Sequence, residues 1–135
     1  MSIVTMITLE QVSETGMQLL NDDFRVRVDR PVEKGGNGEG LMGGQYMLVG
    51  IGGCYCSTLL AAAQSRDIQI SGLSVSVKAT ISEDLPKRFK DIVLEVSSTS
   101  CSKEHEFNKL LKIAEKGCIS VNTIKSGLNF SVELK

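Results

Sequence analysis

Tryptophan is absent from these 135 residues, and the aromatic complement stops at two tyrosines and four phenylalanines. The core must therefore be aliphatic, and the stacked aromatic platforms of single-strand nucleic-acid binders are excluded. There is one histidine and no block of either charge. Fifteen basic and sixteen acidic residues are interspersed to a net charge of -1, which leaves no electrostatic footprint for nucleic acid or an anionic membrane. The N-terminus, MSIVTMITLEQ, has no basic n-region, no small-residue cleavage site and too short an apolar run for a signal peptide or anchor. A soluble, cytosolic protein is expected. Only four cysteines are present, and cytosolic thiols are kept reduced, so they are expected as buried small hydrophobes or redox thiols rather than structural disulfides. Metal binding is not expected. Cys54 and Cys56 form a CxC, the other two cysteines lie far away, and His105 has no ligand-like spacing to any of them.

What the chain does have is one long apolar run, Gly43 to Ala63, GGQYMLVGIGGCYCSTLLAAA. With one Gln as its only strongly polar member, it suits a helix buried on nearly every side. At 135 residues the chain is one domain, small for burying such a helix unaided, and a partner subunit would solve that. Gly50, Gly52 and Gly53 each cost such a helix about 1 kcal/mol relative to Ala, so close approach to the helix backbone is expected there.

Around this run the pattern is of strands. Ile3, Thr5, Ile7 and Leu9 alternate with Val4, Met6 and Thr8 as a first strand. A Gly16 turn and an Asn21-Asp22-Asp23 turn lead to Phe24, Val26 and Val28, which alternate with Arg25, Arg27 and Asp29 as a half-exposed strand of an antiparallel meander. Pro31 ends it. Lys34 to Gly44 is a flexible, glycine-rich loop. It contains Gly38-x-Gly40-x-x-Gly43 before a helix, but the dinucleotide fingerprint needs a tight strand-to-helix turn and a repeating βαβ pattern, and both are missing.

After the helix, Arg66-Asp67 marks the exit. Leu73, Val75, Val77, Ala79 and Ile81 alternate as a strand, and Phe89 to Ser98 returns beside it with Ile92, Leu94 and Val96 on one side. Ser102 is placed to cap a helix whose apolar stripe is Phe107, Leu110, Leu111 and Ala114, stopped by Gly117. Cys118 opens a short segment to Ile124, and Leu128, Phe130, Val132 and Leu134 alternate as a final strand. The class is α+β, with antiparallel strands and segregated helices.

Several linked pieces resemble the OsmC/Ohr family, the osmotically inducible and organic-hydroperoxide-resistance proteins. A glycine-rich loop from Gly35-Gly36 leads into a helix with Gly-Gly-Cys at 52 to 54. Then come Leu85-Pro86-Lys87-Arg88-Phe89 in a strand pair and Ala114-Glu115-Lys116-Gly117-Cys118-x-x-Val121-Asn122-Thr123, similar to the family's second-cysteine motif. The likeness spans about residues 20 to 135, with the two cysteines 64 positions apart.

The resemblance implies an intertwined homodimer whose sheets wrap two central helices. It also implies a thiol peroxidase without metal or organic cofactor, in which Cys54 is the peroxidatic and Cys118 the resolving position. A hydroperoxide would be its small-molecule substrate, and a dithiol such as a lipoyl group, or a small thiol, its reductant. A thiolate attacks peroxide oxygen, and a second thiol in reach captures the sulfenic acid before it oxidises irreversibly. Burial inside an apolar helix should raise the pKa of Cys54 unless a cation stands nearby. Here the chain departs from the family pattern. Gly44 stands where active members carry a glutamate, Gly43 replaces a proline, no arginine falls in Ser13-Glu14-Thr15-Gly16, and Ile119 follows the second cysteine. Arg25, Arg27 or Arg30 could replace the cation and Glu39 the carboxylate. The alternative is a binding module that keeps the family scaffold and has lost peroxidase chemistry.

The remaining candidates have plainer readings. Cys56 lies about 200 degrees round the helix from Cys54 and is expected in the core. Cys101, at a strand end, and His105, early on a helix, are expected to be structural and solvated, and Arg25 and Arg27 suit the wet face of a strand.

Overall fold

A computed structural model describes residues 4, 6–14, 17–20 and 24–135. The expected turns at Gly16 and Asn21-Asp22-Asp23, and Ile3 and Thr5 of the first strand, lie outside the described residues. The chain divides into two compact units, Met1–Met47 and Leu48–Lys135.

In the first unit, β1 (Leu9–Gln11), β2 (Met17–Leu19) and β3 (Arg27–Val28) form an antiparallel meander in that order. The strands are shorter than the alternation suggested. The glycine-rich segment, expected to be flexible, is instead pinned. The carboxylate of Asp29, buried at 3% exposure, accepts hydrogen bonds from the backbone N–H groups of Arg30, Asn37 and Glu39 at 2.7, 3.2 and 3.1 Å. A short 3-10 helix, Val32–Lys34, turns the chain, and Gly36 and Gly40 pass so close to the backbone of Arg30 and Arg27 that only glycine fits. A Cβ on Gly40 would lie 1.9 Å from the carbonyl oxygen of Arg27.

The long helix α1 (Gly43–Gln64) forms as expected. Its start is closed by Gln45, whose side chain accepts the Met42 N–H at 2.9 Å, the returning half of a capping box. Its end turns through Asp67 in the left-handed region, with the Ile68 N–H bonding back to the Ala63 carbonyl. Only one stripe of α1 is buried, Ile51, Gly52, Tyr55, Leu59 and Ala63, at the i, i+4 spacing of one helix face. Met47, Val49 and Leu60 remain exposed, so burial on nearly every side is not achieved by this chain alone. By length and mean hydropathy α1 is the one helix among the described residues that would pass for a membrane span. Its buried stripe is what a core helix of a folded domain shows as well.

In the second unit, β5 (Ser74–Ile81) and β6 (Phe89–Ser97) pair antiparallel, Val75 opposite Val96 and Val77 opposite Leu94. Their inward valines press on Gly52. A Cβ there would sit 2.8 Å from Val77 Cγ2, so the expectation of close approach holds at this glycine, while Gly50 and Gly53 face open space. Two further short strands, β4 (Ile70–Ser71) and β7 (Ser100–Cys101), pair with each other. Ser102 does not cap a helix, because its hydroxyl accepts the Gln69 N–H across this small ladder. A 3-10 turn at Glu104–Glu106 leads instead into α2 (Phe107–Gly117), whose Leu110 and Ala114 are fully buried against Tyr55, Leu59, Ala63 and Ile68. Helix α3 (Ile119–Ser126) follows. Beyond it the expected final strand does not form. Leu128, Phe130, Val132 and Leu134 stay 64–102% exposed, and among the described residues they pair with no strand.

Candidate active site at the Cys54–Cys118 thiol pair

The corner between α2 and α3 brings the two motif cysteines together. Tyr55, next to Cys54 on α1, donates its hydroxyl to the Leu111 carbonyl at 2.8 Å and so fixes α2 on α1. Burial first, and then the charge of Glu115, push the Tyr55 phenol up to about 12, so it stays a neutral donor. One turn after Cys54, Thr58 Cγ2 would lie 3.5 Å from a Cβ on Gly117, which sets the end of α2 beside α1. The chain then turns sharply. Cys118 is extended (φ -80°, ψ 119°) and α3 begins at once, with Asn122 donating its side-chain N–H to the Lys116 carbonyl at 3.0 Å and Lys125 pairing with Glu115.

The result is a direct sulfur contact. All four cysteines are free thiols, and the Cys118 thiol donates to the Cys54 sulfur at 3.5 Å, within reach of the roughly 2.05 Å that a disulfide requires after a small closure. The two thiols differ in access. Cys118 is fully buried and Cys54 is half-buried.

They also differ in acidity, and in the direction opposite to the one expected for Cys54. The hydroxyl of Ser120, then its backbone N–H, bear on the Cys54 sulfur, with Cys118 and the Ile119 N–H adding to them. These donors outweigh burial and hold Cys54 below the ordinary thiol range. For Cys118 burial wins and pushes the thiol up, with the hydrogen bond to Cys54 adding to the shift. Ser120 is thus the residue that the sequence reading missed. The signal was available in principle, since a serine two places after a helix-opening cysteine puts a hydroxyl at the helix start.

The other candidates have surroundings of their own. Cys56 packs against the core cluster, and burial raises its thiol, as expected for a structural position. Cys101 sits half-buried in β7, opposite Ile70. His105 is exposed on the 3-10 turn. In the first unit, Arg27 and Glu39, named as possible substitutes for the missing charge pair, do find one another. Arg27 donates to Glu39 at 3.1 Å and to the Gln18 side chain at 2.9 Å. Arg25 and Arg30 are exposed, and Gly44 lies in the exposed first turn of α1. Among the described residues no group of three His, Cys, Asp or Glu side chains is placed to hold a metal ion.

Beside the thiols' helices, a cavity of about 540 Å³ lies between β6 and the three helices, with Ile51, Tyr55, Phe89, Leu94, Leu111 and Val121 among its walls. Ile51 and Tyr55 flank Cys54 in the chain, and Val121 follows Cys118 by one helical turn.

A unit of helices and antiparallel strands that brings a half-buried and a fully buried free thiol into contact is a candidate dithiol site. Comparison with known proteins is more specific. The family model for OsmC-like protein matches residues 36–133, and the chain belongs to that family. An OsmC-like protein from Mycoplasma pneumoniae is 22% identical with a TM-score of 0.77, over 94% of this chain and 91% of that one. A protein of Aquifex aeolicus VF5 has a TM-score of 0.79 at 17% identity, over 95% and 92% of the two chains. An organic hydroperoxide resistance protein OsmC from Legionella pneumophila has a TM-score of 0.70 at 17% identity, over 92% of each chain. At these identities the structures establish the fold. No curated protein sequence matches the chain.

Proposed function

We propose that this OsmC-like protein is a cytosolic thiol peroxidase that reduces organic hydroperoxides. The observation that carries the proposal is the 3.5 Å contact between a half-buried Cys54 and a fully buried Cys118. The Cys54 thiolate attacks the terminal peroxide oxygen. A sulfur–oxygen bond forms, the oxygen–oxygen bond breaks, and the alkoxide takes a proton and leaves as an alcohol. Cys118 then attacks the sulfur of the resulting sulfenic acid, a disulfide forms and water leaves. A dithiol reductant returns two electrons and two protons by thiol–disulfide exchange. No metal or organic cofactor takes part in these steps. The apolar cavity walled by Ile51, Tyr55 and Val121 suits the hydrocarbon part of an organic peroxide better than hydrogen peroxide itself.

The working unit of this proposal is a homodimer. Exposed Val49 and Leu60 on α1 and the apolar run Leu128, Phe130, Val132 and Leu134 are surfaces that a second copy would cover. Sedimentation equilibrium is expected to give twice the chain mass, and a monomer at micromolar concentration would contradict it. The enzymatic claim is tested by hydroperoxide consumption with a dithiol reductant. Wild type is expected to turn over and Cys54→Ser to be inactive, and equal rates would remove the assignment. One observation favours the alternative of a binding module without peroxidase activity: Gly44 stands where a carboxylate is expected, and no arginine falls in Ser13-Glu14-Thr15-Gly16. A wild type that binds a hydroperoxide without consuming it would establish that alternative.

A further inference from the structure

We propose that Asn122 is a positioning residue of the thiol pair, its side-chain amide tying α3 back to the end of α2 and so holding the Cys118 sulfur within bonding reach of Cys54. The inference rests on the reading of Cys54 and Cys118 as one redox pair, and it names the residue that sets their separation.

The geometry begins with the bend between the two helices. Because α2 ends at Gly117 and α3 begins at Ile119, Cys118 alone joins them, extended at φ -80° and ψ 119°. The last carbonyls of a helix lack partners inside it, and Asn122 serves one of them here. Its side-chain N–H donates to the Lys116 carbonyl at 3.0 Å, and its backbone N–H donates to the Cys118 carbonyl at 2.9 Å. One residue thus bonds the chain before the cysteine and the cysteine itself. That fixes the direction in which α3 leaves α2, with Cys118 at the bend.

The packing of the second unit leaves the sulfur separation to this bend. α2 is fixed on α1 by the Tyr55 hydroxyl on the Leu111 carbonyl and by Leu110 and Ala114, both buried in one cluster with Tyr55 and Leu59. Cys54 is held by α1, so the free variable is where the chain after Gly117 puts Cys118. The second link across the corner joins Lys125 to Glu115, two long and solvated side chains whose ordering offsets most of what their attraction contributes. Asn122 reaches its carbonyl on a short side chain and loses less freedom in doing so. From 3.5 Å the sulfurs must close to roughly 2.05 Å to form a disulfide, and a corner already ordered makes that closure without a further entropy cost. Without the Asn122 tie, the corner must be ordered each time the bond forms.

The experiment equilibrates the full-length protein in glutathione redox buffers and measures the Cys54–Cys118 disulfide by peptide mass mapping. As that disulfide forms, oxidised glutathione takes two electrons and two protons from the thiol pair and becomes two reduced molecules. It is run on wild type, Asn122→Ala, Asn122→Asp and Thr123→Val, with circular dichroism to check that each variant folds. At neutral pH Asn122→Asp keeps the shape of the side chain and has no N–H to donate. Thr123→Val is the control for a loosened α3, because the Thr123 hydroxyl donates to the Ile119 carbonyl at 2.8 Å within that helix and does not cross the corner. Both Asn122 variants are expected to lower the effective concentration of the two thiols about fivefold, the weight of one ordinary hydrogen bond, and Thr123→Val to match wild type. A wild-type equilibrium in either Asn122 variant, or an equal shift in Thr123→Val, would overturn the proposal. If Asn122→Ala does not fold, Asn122→Asp decides. A wild type that forms no Cys54–Cys118 disulfide in these buffers would remove the redox pair and the proposal with it. No hydroperoxide is used, so the peroxidase reading fails separately. An Asn122-dependent disulfide in a protein that consumes no hydroperoxide would retain Asn122 as the positioning residue and remove the peroxidase.

Discussion

The two polar centres of this protein solve electrostatic problems by opposite means. In the first unit, a buried carboxylate and an ion pair do the work: Asp29 gathers three backbone amides, and Arg27 is held between Glu39 and Gln18. In the second unit, the thiol pair is served by a serine hydroxyl, backbone amides and the neighbouring thiol. The contrast is between centres built with and without formal charge. Arg27 and Glu39, named as possible replacements for a missing charge pair, bond each other, and Arg27 also holds Gln18. The acid-strengthening groups at Cys54 carry no formal charge.

The sharpest way to break this contrast is to remove the thiols. Cys54→Ser is expected to abolish hydroperoxide consumption, the largest effect in the molecule. Cys118→Ser should keep the first turnover and lose the later ones, with Cys54 passing to sulfinic acid, as mass spectrometry of the peroxide-treated protein would reveal. Next in size is Asp29→Ala, which takes the carboxylate from three part-buried backbone amides. An unfolding free energy lowered by about 2 kcal/mol in urea is expected, and an unchanged midpoint would show that the loop is not pinned there.

Gly40→Ala tests the same loop from its backbone. The new Cβ would meet the Arg27 carbonyl at 1.9 Å, so a loss of about 1–3 kcal/mol is expected by urea unfolding. The smallest effect sharpens the comparison most. Arg27→Gln should cost under about 1 kcal/mol, because the Arg27–Glu39 pair is partly solvated, and the pH midpoint of Cys54 alkylation should not move. A midpoint that rises in Arg27→Gln would return the cation to the chemistry and merge the two centres.

How far the sequence led depends on what kind of force sets each feature. Local pattern was enough for α1, for the β5–β6 pair and for the α2 stripe ending at Gly117, because periodicity and a helix stop are written in consecutive residues. The resemblance to the OsmC/Ohr motifs singled out Cys54 and Cys118, and the structure puts their sulfurs in contact. Three features needed the packed chain. The alternation of Leu128 to Leu134 was real, but a strand also needs an edge to pair with, and among the described residues none takes it. Ser102 had the identity of a cap, yet the Gln69 N–H claimed its hydroxyl. The glycine-rich loop was read as flexible from composition alone, while the buried Asp29 that organises it lies upstream. The acidity of Cys54 was misjudged for a related reason. Burial of an apolar helix was legible, but the donors that oppose it come from α3, more than 60 residues further on.

The central claim is that Cys54 and Cys118 form one redox unit, and it is tested most directly by treating the reduced protein with one equivalent of an organic hydroperoxide and mapping its disulfides by peptide mass spectrometry. The account predicts a single new Cys54–Cys118 disulfide, with Cys56 and Cys101 still alkylatable. Four alkylatable thiols after treatment, or a disulfide that excludes Cys54, would contradict it.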